Sequence, residues 1–260
     1  MKKNIALIAL ISTAIAAPPA TAFQSVFDNA KNLRVLKTLS AAELRETMRG
    51  FSFALGVRCT HCHVRETPEG SERPVMIFDR DDKENKLIAR KMLTMVADIN
   101  AKITGLGRGE NHIYQPVTCK TCHLGQNKPI LIQTVLDAAL KKGGAEEAIS
   151  QYIELKERYY GGHTYDFTPF TFAEYAQTIA SGGDLENGAI LAAYNTKSHP
   201  NEAYGQQILG QINLAREDYI GAIAAFEAAN KIRPTRFIQG LLKKAQDAEA
   251  AAKNKKPGDD

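Results

Sequence analysis

Every cysteine of the 260-residue chain falls in one of two short runs, RCTHCHV at 58–64 and VTCKTCHLG at 117–125. In each run two thiols stand three residues apart and an imidazole follows directly: Cys59, Cys62 and His63, then Cys119, Cys122 and His123. Residues three apart on a helical turn share a face, so each pair presents two sulfurs at a separation that suits the vinyl groups on neighbouring pyrroles of a haem. The histidine then falls under the iron. This is why Cys-x-x-Cys-His reads as covalent c-type haem attachment, with the histidine as proximal ligand. Two runs imply two covalently bound haems.

Two other chemistries use paired cysteines. A structural zinc site would have to span the 56 residues between Cys62 and Cys119, beyond the usual knuckle spacing, and would leave His63 and His123 unused. A disulfide within either Cys-x-x-Cys closes a very small loop of the redox-active kind, and no thioredoxin-like βαβ pattern surrounds either run.

A proximal histidine leaves one axial position whose occupant decides between electron transfer and chemistry on a bound small molecule. Outside the proximal histidines, the candidates are Met48, Met76, Met92, Met95, His61, His112, His163 and His199. Met48 stands eleven residues before Cys59, where an antiparallel return of the chain brings its sulfur to the first iron; plain core packing explains a methionine there equally well. Met92 and Met95 share a helical face, and periodicity alone does not choose between them. His163 and His199 fall in the C-terminal region and read as solvated or structural, and His61 as a spacer inside the first motif.

The elements that position these residues are helices. In LSAAELRETMRGFSFALGV, Ser40 with Glu43 forms a capping box and Gly56 offers a stop, which predicts a helix over 41–55 with Leu44, Met48, Phe51 and Leu55 along one face. The turn-rich RETPEGSERPV follows the first motif. A second helix begins near Asp81 and Glu84, read as its cap pair, with Ile88, Met92, Met95, Val96, Ile99 and Ile103 on its apolar face. A Gly-rich polar loop then leads to the second motif.

Beyond Pro129 cysteine and methionine vanish and the chain becomes alanine-rich with helical periodicity. From Ala203 to Pro234, Leu209, Gly210, Tyr219, Ala222, Phe226, Ala229 and Pro234 take the spacings of a 34-residue helix-pair repeat. One period earlier stand Phe172, Tyr175, Ala176, Leu185 and Pro200, and Ala148, Tyr152 and Leu155 suggest a more decayed pair. Two to three repeats and a closing amphipathic helix near 236–252 are expected.

The first 22 residues, with Lys2, Lys3, an apolar run from Ile5 to Ala17 and Ala20-Thr21-Ala22, read as a cleaved export signal. The run is short of the roughly 20 residues a membrane span needs, and no cysteine follows it for lipid attachment. The expected mature chain carries no transmembrane segment and is exported to the periplasm or beyond. Without Lys2 and Lys3 the 33 basic residues fall to 31 against 29 acidic ones, a formal +2. No basic stripe suited to nucleic acid appears.

The order of helix-borne Met48, LGV-x-C-x-x-C-H, ARKMLTMVADIN and VTC-x-T-C-H-x-G over residues 39–128 resembles one half of the tetrahaem cytochrome c subunit of photosynthetic reaction centres. The resemblance implies that Met48 is the distal ligand of the first haem and Met92 that of the second, with Met95 packing beside the porphyrin. It also places His112 where family members carry a histidine that ligates a haem of the other half. The chain departs from that pattern in having two motifs instead of four, no lipoprotein cysteine and an appended repeat region, which resembles tetratricopeptide tails that bind proteins.

The expected fold is mainly α. A leader spans 1–22. A small dihaem c-type cytochrome domain with little regular sheet occupies 23–129. Tetratricopeptide-like helical repeats with a capping helix occupy 130–252, and a disordered tail occupies 253–260. The expected function is one-electron transfer between periplasmic redox proteins, or to a membrane-bound redox complex, without catalysis. A dihaem peroxidase with one five-coordinate iron and a haem-bearing assembly scaffold are the alternatives.

Overall fold

The computed structural model describes residues 25–104 and 115–254. The expected leader, His112 and the tail from residue 255 onward lie outside the described residues. The chain divides into two compact units, 1–121 and 122–260, so the division falls inside the second cysteine motif, whereas the compositional break in the sequence lies near 129.

The first unit contains α1 (Ser25–Asp28), α2 (Ala41–Leu55), a 3-10 turn over Cys59–His61, β1 (Val64–Glu66), β2 (Val75–Ile77) and α3 (Glu84–Thr104). Helix α2 has the predicted limits for the predicted reasons. The Glu43 N–H donates to the Ser40 hydroxyl, the Ser40 N–H donates to the Glu43 carboxylate, and Gly56 closes the helix at φ 66°. The turn-rich stretch after the first motif folds back as a hairpin, with Val64 opposite Ile77 and Glu66 opposite Val75. This pair is the only sheet among the described residues.

Burial in this unit is sparse. Among its described residues only Leu44, Ala54 and Val64 are buried hydrophobics. Helix α3 has the expected apolar stripe, yet Ile88 is 45% exposed, Met95 43%, and the buried residue of that helix is Lys86. Asp81, expected as a cap of α3, gives its carboxylate to Asn32, Lys86 and Arg90 instead.

The short α4 (Cys119–His123) crosses the division, and the second unit continues with α5 (Ile132–Tyr159), α6 (Pro169–Ser181), α7 (Leu185–Ser198), α8 (Ala203–Ala215), α9 (Tyr219–Ile232) and α10 (Arg236–Asn254). Helix α5 is broken at Gly143 and Gly144, the latter at φ 72°, ψ −163°, a region that essentially only glycine enters. The Ala145 N–H that begins the second half donates to the Asn187 side-chain oxygen on α7 at 2.8 Å, so a neighbouring helix supplies the cap. Ala148, Tyr152 and Leu155 on this half are buried, as the decayed repeat required.

The repeat is built as two helix pairs, α6 with α7 and α8 with α9, each joined by three residues; α7 packs on α8, and α9 on α10. Asp184 and Asp218, 34 positions apart, cap α7 and α9 through the same side-chain acceptance from the third residue on. Leu136, Leu191, Ile208 and Phe226 are fully buried, and Tyr152 sets its ring 4.4 Å from that of Phe172. Helix α10 continues through Lys253 and Asn254, two residues past its expected end.

Gly210 marks the closest helix contact. A Cβ added there would lie 2.5 Å from the Phe226 ring, which is itself fully buried and has no room to withdraw. Gly210→Ala should therefore destabilise the repeat unit by about 1–3 kcal/mol through overpacking. Gly240→Ala, at a helical position open to solvent, should stabilise it by about 0.5–1 kcal/mol. Urea unfolding followed by circular dichroism measures both.

Candidate functional site

The first motif is a tight turn. The Cys62 and His63 N–H groups both donate to the Cys59 carbonyl, at 3.2 and 2.9 Å, which sets the two thiols on one side of a helical turn and the imidazole immediately after. No disulfide joins any of the four cysteines. Burial pushes the Cys62 thiol up, opposed by the Lys83 cation.

The hairpin then decides where His63 can go. Because Val64 pairs with Ile77, the residues just outside the ladder, His63 and Phe78, are brought together. The His63 Nδ1 lies 3.1 Å from the Phe78 carbonyl oxygen, and the two rings meet edge to face at 5.1 Å. A carbonyl only accepts, so Nδ1 carries the proton and Nε2 is left with its lone pair, the tautomer a metal ligand needs. Burial first, and then the nearby Lys86 cation, lower the His63 pKa, while the bond to Phe78 opposes them. The net direction keeps the ring neutral at neutral pH.

The second motif reaches the same arrangement by another route. His123 is buried at 9% exposure, and its Nδ1 lies 2.7 Å from the Gln126 carbonyl, three residues on. The Gln126 N–H returns a bond to the His123 carbonyl at 2.8 Å. Closing so small a ring takes two successive left-handed residues, Leu124 at φ 47° and Gly125 at φ 89°. The loop is held from the repeat unit: the Thr164 hydroxyl donates to the Leu124 carbonyl at 2.9 Å, and the Tyr165 hydroxyl and Gln126 side chain meet at 3.4 Å.

Helix α3 fastens the first motif to the approach of the second. At its N-terminal end the Lys83 ammonium donates to the Thr60 carbonyl at 2.6 Å, the Asn85 amide donates to the His61 carbonyl at 3.3 Å, and Lys86 donates to the Phe78 carbonyl at 2.8 Å. At its other end Asn100 exchanges two bonds with the Val117 backbone, two residues before Cys119, at 2.8 and 2.9 Å.

The candidate distal residues fall where the helices predicted them. Met48 is half-buried in the middle of α2, Met92 half-buried in α3, and Met95, one turn on, is exposed. Met48 shares the first unit with His63; Met92 belongs to the first unit and His123 to the second. His163 is exposed at the left-handed residue of a turn, and His199 ends α7. Phe78, Lys86, Asn100, Gln126 and Thr164 escaped the sequence reading. Phe78 and Gln126 act through backbone carbonyls, which no residue type announces, and the burial of Lys86 rests on such carbonyls as well.

The donor set fits a haem. Each motif offers two thiols for thioether formation and an imidazole whose Nδ1 faces a backbone carbonyl. The apolar side chains left uncovered on α2 and α3, among them Phe53 at 75% exposure, fit a group that brings broad apolar faces of its own.

Residues 7–166 match the model of the family described as the photosynthetic reaction centre cytochrome C subunit. Cytochrome c-554 of Chloroflexus aurantiacus is 33% identical over 99 residues, 37% of this chain and 21% of that protein, so the chain spans about a fifth of the length of this relative. Among solved structures, the crystal structure of the Sgt2 TPR domain from Aspergillus fumigatus aligns with 50% of this chain and 85% of its own, at 19% identity and a TM-score of 0.34. No helix among the described residues is long and apolar enough to cross a membrane.

The Thr164 bond is a local test of how the second motif is held. Thr164→Val keeps the shape and removes the hydroxyl, at a cost of about 1 kcal/mol. Amide exchange at residues 124–126 should accelerate about fivefold while α6 to α9 keep their protection, as read by hydrogen-exchange mass spectrometry.

Proposed function

The chain belongs to the photosynthetic reaction centre cytochrome C subunit family, and from that premise we propose that it is an exported dihaem electron carrier. Family membership implies covalently bound c-type haem. The finer reading is two haems, the first on Cys59 and Cys62 with His63 as proximal ligand, the second on Cys119 and Cys122 with His123. When bound, each haem supplies a reversible one-electron iron couple.

The observation that carries this reading is the pair of bonds from His63 Nδ1 to Phe78 and from His123 Nδ1 to Gln126. A histidine serving only as a surface or core residue has no need of a fixed tautomer. Here both motif histidines have one, and each leaves Nε2 as the donor. In this reading Met48 closes the first site and Met92 the second, with Met95 against the porphyrin. The Met48 and Met92 thioethers would leave no open position for a substrate and would favour the reduced iron. Residues 1–22 act as the export leader, which places maturation outside the cytoplasm, where c-type attachment occurs.

The partners that fit are small redox proteins or a membrane-bound redox complex, with the repeat unit as a docking surface for protein. Both haems' propionates would add about four negative charges to the formal +2 of the mature chain. Steering would then rest on local patches instead of net charge.

Mass spectrometry of the purified protein should give the mature chain plus two haems, and Cys59→Ala with Cys62→Ala should remove one. The oxidised protein should show the weak near-infrared charge-transfer band of sulfur-ligated ferric haem. Met48→Ala and Met92→Ala should each remove part of it, and Met95→Ala should leave it whole. High-spin bands with rapid peroxide turnover in the wild type would sink the carrier reading in favour of an enzyme.

A further inference from the structure

Lys86 is the buried residue of α3, at 9% exposure, in a helix whose apolar side chains are not buried. Burying an ammonium is unfavourable unless its donors are satisfied, and all three N–H groups are. They go to the Phe78 carbonyl at 2.8 Å, the Arg80 carbonyl at 2.7 Å and the Asp81 carboxylate at 3.0 Å. The first acceptor is the same oxygen that orients His63.

The charge around it is positive on balance. Asp81 faces Lys86, Arg90 at 2.9 Å and Arg34 at 3.6 Å. Arg80 is taken by Asp82 and by Glu66. Four cations thus stand against three carboxylates, and Lys83 adds a fifth on the Thr60 carbonyl inside the motif. At the second motif, among the described residues, no ammonium or guanidinium donates to the Gln126 carbonyl that orients His123.

We propose that Lys86 is a positioning residue that sets the two haem sites apart in potential, holding the first above the second by taking a share of the carbonyl behind His63. The inference rests on the dihaem reading above. A carbonyl oxygen has two lone pairs and can accept from both donors, but the ammonium draws its electron density away from the Nδ1–H. The ring then has less imidazolate character and donates less to ferric iron, since the partner behind a ligating histidine tunes its basicity. The buried positive charge acts in the same direction, because oxidation adds a positive charge nearby. Both effects favour the reduced form at the first site, and neither operates at the second.

Potentiometric titration of the full-length holoprotein tests this. In Lys86→Met the higher of the two midpoints should fall by about tenfold in the reduction equilibrium, which for one electron is about 59 mV, while the lower midpoint stays in place. Lys86→Arg, which keeps the charge and the donors, should restore most of the difference. Asp81→Asn, which removes the countercharge and keeps the ammonium, should move the same midpoint upward, and it serves if the methionine variant loses its haem.

Midpoints that stay put in variants carrying both haems would overturn the inference and leave the dihaem reading standing. An equal fall of both midpoints, or an arginine variant as low as the methionine one, would overturn it too. A wild-type chain without covalent haem would overturn the reading beneath it and this inference together.

Discussion

An imidazole is preorganised as a metal ligand when its ring is held from behind, because a free ring rotates about two side-chain bonds and exchanges its proton between two nitrogens. Each motif histidine is held in this way by a backbone carbonyl. At His63 the answer is the register of a three-residue hairpin, which places a carbonyl from residue 78 behind the ring. At His123 it is a four-residue loop with two left-handed residues. The two solutions share nothing in sequence and deliver the same hydrogen bond, a backbone carbonyl facing Nδ1.

The two units differ in how they obtain a core. The repeat unit buries its own apolar residues: aromatic rings on α5 and α6 interlock, Phe226 closes on Gly210, and paired aspartates cap the helices that repeat. The first unit leaves its apolar stripes on α2 and α3 largely uncovered and holds its parts by polar grips to backbone carbonyls. Apolar burial is the dominant favourable contribution to folding, so a unit with three buried hydrophobic side chains is incomplete as a protein-only core. The c-type haem that family membership implies brings broad apolar faces of its own, which suits a unit that leaves its apolar stripes uncovered.

Local signals were legible and non-local ones were not. Ser40, Glu43 and Gly56 specify α2 through contacts within three residues, so the sequence alone set its limits correctly. The 34-residue period was equally visible because the packing it encodes repeats, and Asp184 and Asp218 repeat with it. Asp81 was misread as a cap because it is claimed by Asn32, 49 residues away, and by Arg90, nine residues on along α3. The burial of Lys86 was not legible, because it depends on carbonyls that have no side-chain signature. The hairpin after the first motif was hidden by its Gly and Pro content, although its turn character was recognised.

Helix α3 shows why the polar grips sit where they do. Its fastenings to the first motif, at Lys83, Asn85 and Lys86, and to the approach of the second, at Asn100, lie at its two ends. Between Lys86 and Asn100 the helix rises about 21 Å, a stiff span that fixes the distance between the first motif and Val117. Polar ties spread along the helix would have used up the middle turns. The ties at its ends, with the Arg90 bonds to Asp81 and to the Asn32 carbonyl on the opposite side of the helix, leave Ile88, Met92, Val96 and Ile99 on one stripe, so that rigidity and an apolar surface come from the same helix without competing for the same residues.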